Sequence, residues 1–238
     1  MSAIERSATI PSVLYEDNHL LAVNKPSGML AQGDETGDKP LTDWAAEYLA
    51  VKYKKPGNAF IGLIHRIDRP VSGLVLLART SKALDRMNEQ FRDRHVEKEY
   101  RAVVEGCPTQ EEEILEHWLV KHSPTNKSKV VGSNVANAKK ALLQFRVLQK
   151  GERYAMLLVQ PNTGRHHQIR VQLSSIGHPV AGDVKYGAKR TLEFAAIALH
   201  SYRLAFEHPV TKLKMELTAP LPDHFPWTIF QKHEKNTA

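Results

Sequence analysis

Residues 65–80 read HRIDRPVSGLVLLART. The second half, 72–80, is β-rich and almost wholly apolar, which predicts a strand covered on both faces. The first half sets Asp68 between Arg66 and Arg69 at the mouth of that strand. Neighbouring guanidinium groups favour a charged carboxylate, and a charged carboxylate can act as nucleophile or base. A structural ion pair at a strand entrance answers the same pattern. The local sequence leaves both readings open.

On the N-terminal side, residues 12–17 and 19–26 read as two short strands around a corner at Asp17–Asn18, the second ended by Pro26–Ser27–Gly28. Residues 33–40 are a polar loop. Leu41, Trp44, Ala45, Tyr48 and Leu49 then share one helix face. On the C-terminal side, Ser81 is expected to cap a helix that buries Leu84, Met87 and Phe91. Strands are predicted at 98–104, 142–148 and 154–160, and a helix over 164–176 through Ile169, Leu173 and Ile176. Alternation at Ala198–Phe206 and at Leu213, Met215 and Leu217, around His208–Thr211, predicts a hairpin. Strands outnumber helices without regular alternation, so the expected class is α+β, with a mixed sheet and flanking helices. The least structured stretch is expected at 121–140, with five lysines and no acid.

The chain has 238 residues, 42% apolar and 25% charged, with formal net charge +7. Length and composition suit one domain over 1–238, its core at about 12–220. A positive balance suggests a polyanionic partner. Cys107 is the only cysteine, which excludes a disulfide scaffold and points to a reducing, cytoplasmic setting. No apolar run approaches the ~20 residues of a membrane span, and residues 1–10 lack the pattern of a secretory signal. Neither GxxxxGK[ST] nor GxGxxG occurs, so a nucleotide cofactor has no support. HRID differs from a kinase catalytic loop by the position of its aspartate.

Two further segments are dense in chemistry. Asn162–Thr163–Gly164–Arg165–His166–His167–Gln168–Ile169–Arg170 offers a turn, a cap and a helix start carrying Arg165 and Arg170. Helix N-termini suit phosphate or carboxylate, although a solvated basic helix has the same look. Residues 177–187 hold three glycines and a proline, implying a shaped loop. His166 and His167, adjacent on a helix, would point about 100° apart and could not chelate one metal. No metal site is expected, and His19, His117, His224 and His233 read as surface or packing residues.

Together these segments closely resemble the RluA-type family of pseudouridine synthases. The likeness runs from Leu14–Asp17 and Asn24–Gly28 through 65–80, 98–106 (KEYRAVVEG), 162–173 (NTGRHHQIRVQL), 177–187 (GHPVAGDVKYG) and 199–201 to His208–Pro209. The resemblance implies a largely antiparallel sheet with a central catalytic cleft. It also implies isomerisation of uridine to pseudouridine in ribosomal or transfer RNA, without cofactor or metal. In that reading Asp68 is the essential catalytic aspartate. Arg170 pairs with it through a bidentate guanidinium, and Tyr100 stacks on the target base. Ile169 and Leu199 wall the pocket, and Arg66 fills the space left by the flipped nucleotide. His65, Arg69 and Arg165 are counted with the substrate-binding residues. Flipping the uridine costs about a few kcal/mol that protein contacts must offset.

Val71 stands where the family usually has a hydroxyl, and Gln172 where histidine is common, so altered local hydrogen bonding is expected there. The likeness begins almost at the N-terminus, which leaves no room for a separate N-terminal RNA-binding domain. Lysines of 121–140 with Lys52, Lys54 and Lys55 become candidate phosphate contacts, in a protein expected to be a monomer. The alternatives are a noncatalytic RNA-binding module of the same fold, and a nuclease using His65 with Asp68.

Overall fold

The computed structural model describes residues 10–54, 56–57 and 59–230. The N-terminal stretch read for a signal, apart from Ile10, lies outside them, as do Lys55 and His233. In chain order the strands are β1 (Ser12–Glu16), β2 (Leu20–Lys25), β3 (Gly62–Leu63), β4 (Ser72–Ala78), β5 (Glu97–Glu105) and β6 (Glu112–His122), followed by β7 (Lys127–Val131), β8 (Lys139–Lys150), β9 (Tyr154–Pro161), β10 (Leu199–Glu207) and β11 (Lys214–Thr218). The helices are α1 (Leu41–Lys52), α2 (Ser81–Arg92) and α3 (Gln168–Ser175). Among the described residues all strands join one sheet, ordered β1-β2-β4-β10-β5-β9-β8-β6-β7, with β3 on β4 and β11 on β10. Only β4 and β10 run parallel.

Strand period explains why β4 is apolar throughout. Leu21, Val23, Val75 and Leu77 share a core with Leu41, Ala45 and Leu49 of α1. The intervening Leu20, Ala22, Leu74 and Leu76 pack with Ala83 and Met87 of α2. Alternate residues thus serve opposite faces, and neither face meets water. Register then assembles a row across the sheet: Gly73 pairs with Ser201, Ser201 with Tyr100, and Tyr100 with Val159. Gly73 has φ +110°, and a Cβ there would lie 2.3 Å from the Ser201 carbonyl oxygen. Only glycine permits this approach of β4 to β10.

Several boundaries differ from the expectation. Thr80, not Ser81, caps α2, its side chain accepting from the Ala83 N–H; Ser81 is the first helical residue. The helix expected from 164 begins at Gln168, because His167 takes a left-handed φ of 51°. The Gln168 side-chain carbonyl accepts from the Arg165 N–H and the Thr163 hydroxyl, closing the preceding loop. The 121–140 stretch is largely ordered: it carries the end of β6, all of β7 and the start of β8. In β6 Leu115 and Leu119 are buried while much of the strand is open to water, so its apolar signal is sparse. The final hairpin forms, but its loop reaches Leu213, which is exposed before β11.

His200, on β10, is buried beside this row; its Nδ1 accepts from the Ser72 hydroxyl and its Nε2–H faces the Ala219 carbonyl. Burial pushes its pKa down to about 4. The unfolded chain takes up a proton near pH 6.5 that the folded protein refuses until about pH 4. Stability is therefore lost as pH falls through that window. In urea unfolding, His200→Gln should flatten the acid slope by about 1.4 kcal/mol per pH unit; parallel slopes would refute this. Gly73→Ala should cost about 3 kcal/mol through strain and backbone collision, read from the same transitions.

Candidate active site

Asp68 lies on the loop between β3 and β4, closed by the Val71 N–H donating to the Asp68 carbonyl at 3.0 Å. Beneath the loop, the fully buried Lys25 ammonium donates to the carbonyls of Met29, Pro26 and Arg69 at 2.7, 2.9 and 3.3 Å. It ties the end of β2 to the Asp68 loop. Burial pulls its pKa down to about 7, against the opposing charge of Asp68.

The charge partner of Asp68 comes from a residue 102 positions away: Arg170 Nη1 donates to Asp68 Oδ2 at 2.8 Å. The flanking arginines do not fill this role. Arg69 turns away to the Gly28 carbonyl and Asp38, and Arg66 is exposed and makes no ion pair with Asp68. The expected bidentate contact between Arg170 and Asp68 is also corrected. The fork is spent on Asp183, with Nε to Oδ2 at 2.6 Å and Nη2 to Oδ1 at 2.9 Å, and Asp68 receives a single N–H, from Nη1. Arg170 and Asp183 have side chains 5% and 1% exposed, against 30% for Asp68. Burial disfavours the cation, but the Asp183 fork and Asp68 outweigh it and hold the Arg170 pKa above its ordinary value.

A second chain of contacts braces the same carboxylate. The Tyr186 hydroxyl accepts from the Ser128 N–H and lies 2.8 Å from His167 Nδ1. With the Tyr186 proton directed at Nδ1, the neutral imidazole carries its hydrogen on Nε2. That Nε2 faces Asp68 Oδ2 at 3.6 Å. Burial drives the His167 pKa down to about 3. His166 and His167 precede α3 rather than sitting on it, and their rings stack at 3.8 Å. Among the described residues no group of three or more metal-ligating side chains gathers.

Asp68 opens into a cleft of about 210 Å³ lined by Tyr100, Ile169, Leu199, Val71, Arg66 and Arg165 among others. The volume has room for one ring-bearing group. Tyr100, Ile169, Leu199, Arg66, Arg165 and Arg170 thus gather around Asp68 as expected. Burial pushes the Tyr100 phenol up to about 12, with the Asp68 charge adding to the effect. His65 is set apart from this cleft. Its Nε2 accepts from the Leu76 N–H at 3.0 Å, its ring stacks on Phe91, and burial pushes its pKa down to about 3. It makes no acid–base pair with Asp68. Lys52 is paired with Glu16. Gln172 is buried and donates to the Leu115 carbonyl across the sheet. Sequence reading did not assign Asp183, His167 or Tyr186 to the site. The glycine-rich 177–187 segment was the available signal: Gly182 at φ +87° leaves the Ala196 carbonyl 2.9 Å from where a Cβ would stand.

These elements define the class. A family model described as RNA pseudouridylate synthase matches residues 19–175, and the chain belongs to that family. The ribosomal large subunit pseudouridine synthase C of Vibrio cholerae is 37% identical over 218 residues, covering 89% of this chain and 66% of that protein. An uncharacterized RNA pseudouridine synthase of Bacillus subtilis is 34% identical over 214 residues, covering 89% of this chain and 69% of that protein. The chain thus spans about two thirds of the length of these relatives. The solved structure of human RNA pseudouridylate synthase domain containing 4 superposes with a TM-score of 0.73 at 26% identity, covering 89% of this chain and 88% of that one. The expected family and the α+β fold with its mostly antiparallel sheet both hold. No helix among the described residues is long and apolar enough to cross a membrane.

Asp183→Asn should leave the buried Arg170 cation without its fork and cost about 3 kcal/mol in urea unfolding. A loss below about 1 kcal/mol, the level of an exposed pair, would show that Asp183 is not the anchor.

Proposed function

We propose that this protein isomerises uridine to pseudouridine within RNA, with Asp68 as the reacting carboxylate. One observation carries the reading: a carboxylate oxygen in an open cleft, 2.8 Å from a buried guanidinium, with Tyr100 lining the same cleft. The guanidinium aims the carboxylate, so no reorganisation is needed when charge moves. The target uridine is turned out of its stack into the cleft, where the Tyr100 ring lies against the base and Ile169 and Leu199 exclude water. The N1–C1′ bond breaks, the freed base rotates, and C5 bonds to the same sugar carbon. The C5 hydrogen leaves as a proton and N1 takes one up, so the product is an isomer and no cofactor is consumed. Asp68 can attack C1′, attack the base or remove a sugar proton; each role needs it ionised.

Arg66, exposed at the rim, occupies the space vacated by the nucleotide, and Arg165 meets the backbone beside it. His167 positions Asp68 through its Nε2–H. Ribosomal RNA of the large subunit is the favoured substrate, because the relative from Vibrio cholerae is named a ribosomal large subunit pseudouridine synthase. The protein acts in the cytoplasm, as one domain with its core between about 12 and 220.

RNA tritiated at uridine C5 and incubated with the protein should release label to water, and Asp68→Asn should abolish release while unfolding like wild type. Wild-type protein that binds RNA but releases no label would leave a noncatalytic RNA-binding module as the function.

A further inference from the structure

Beyond the Asp68 cleft lies a second groove of about 450 Å³, which shares Arg66, Tyr100 and Arg165 with it as a common wall. Its far side is built from the C-terminus of α2 and the start of β5: Phe91, Arg92, Arg94 and Lys98, with His65 behind. No aspartate or glutamate lines it. Arg94 has no carboxylate partner among the described residues, and neither does Lys98. Arg92 reaches only its neighbour Asp93, at 3.5 Å on the open surface. Arg94 sits at φ +63°, where the chain turns out of α2, with the His95 N–H donating to the Gln90 carbonyl. The turn presents its exposed side chain beside Lys98, whose pKa is lowered by its own burial and by the Arg94 charge. Five cations around one groove, four of them without a carboxylate partner, call for a polyanion. Part of the remaining wall is aromatic, made by the stacked rings of His65 and Phe91, centroids 4.9 Å apart and 17° from parallel. His65 adds no charge there, since its Nε2 lone pair is engaged by the Leu76 N–H.

We infer that this groove holds the RNA nucleotide next to the one in the Asp68 cleft, its phosphate on Arg94 and Lys98 and its base against the His65–Phe91 wall. Alternation of cations with an aromatic surface is the chemistry of single-strand binding. The shared wall fits the connectivity: a backbone leaving the cleft over Arg66 and Arg165 enters the groove directly. The proposal rests on the isomerase reading for the identity of the neighbouring nucleotide. The groove's own affinity for single-stranded RNA can be measured without turnover.

Binding of a fluorescein-labelled oligouridylate 12-mer, followed by anisotropy across a salt series, tests it. Arg94→Gln/Lys98→Gln should bind more weakly, and its log–log salt slope should be shallower by about 1.4, the value for two lost phosphate contacts on a single strand. Lys39→Gln/Lys212→Gln removes the same charge from surface lysines paired with Glu47 and Glu207, and its slope should equal that of wild type. Equal slopes for both double variants would overturn the groove assignment. Lys98 is partly buried, so Arg94→Gln alone, expected to lower the slope by about 0.7, decides the matter if the double variant does not fold. Tritium release by wild type is scored separately. A shifted slope with no release keeps the groove as an RNA site and removes the isomerase reading; release with unshifted slopes does the reverse.

Discussion

The Arg170 guanidinium is held between two carboxylates, and the geometry of the site follows from how its N–H groups are divided. Asp183 takes the planar fork from inside the protein, which fixes the plane of the guanidinium. One remaining N–H then points to Asp68 at the cleft. A buried cation with one partner would be costly; with Asp183 buried opposite, it is paired and aimed at once. A lysine ammonium could not do this, because it has no fork to divide. The outer carboxylate keeps access to the cleft, and the inner one has almost no exposure.

The sheet supplies the second constraint. Gly73, Ser201 and Tyr100 lie in one row across β4, β10 and β5, and the parallel β4–β10 contact closes only because Gly73 has no Cβ. The row sets Tyr100 beside the loop that carries Asp68. From the other side, Ser128 on β7 donates to Tyr186, Tyr186 to His167, and His167 faces Asp68. The lysine-bearing β6–β7 hairpin is therefore joined to the carboxylate by consecutive polar contacts.

Much of the architecture was legible in the residues. The two faces of β4, the α1 stripe and the final hairpin follow from apolar period, which tertiary packing had no reason to override. The β6–β7 hairpin was not legible, because the apolar residues of β6 fall side by side, as at Ile114–Leu115 and Trp118–Leu119, rather than alternating, and β7 is short and carries two lysines. The start of α3 was missed because a left-handed His167 and the side chain of Gln168 close the turn there, and neither is written in periodicity.

For the site, the family resemblance named Asp68, Tyr100 and the Arg170 that pairs with Asp68, while local residue type left Asp68 open between an ion pair and a reacting group. Local order alone points to the two arginines within two positions of Asp68, yet the partner is 102 residues away. Proximity along a strand entrance does not orient a side chain, whereas the Asp183 fork does. The sequence by itself determined the class of fold and the chemical types at its centre. Only the tertiary structure decided that the Arg170 fork goes to Asp183, the withdrawal of His65 and Arg69, and the entry of His167 and Tyr186. Those depend on long-range register and burial, which no local pattern encodes.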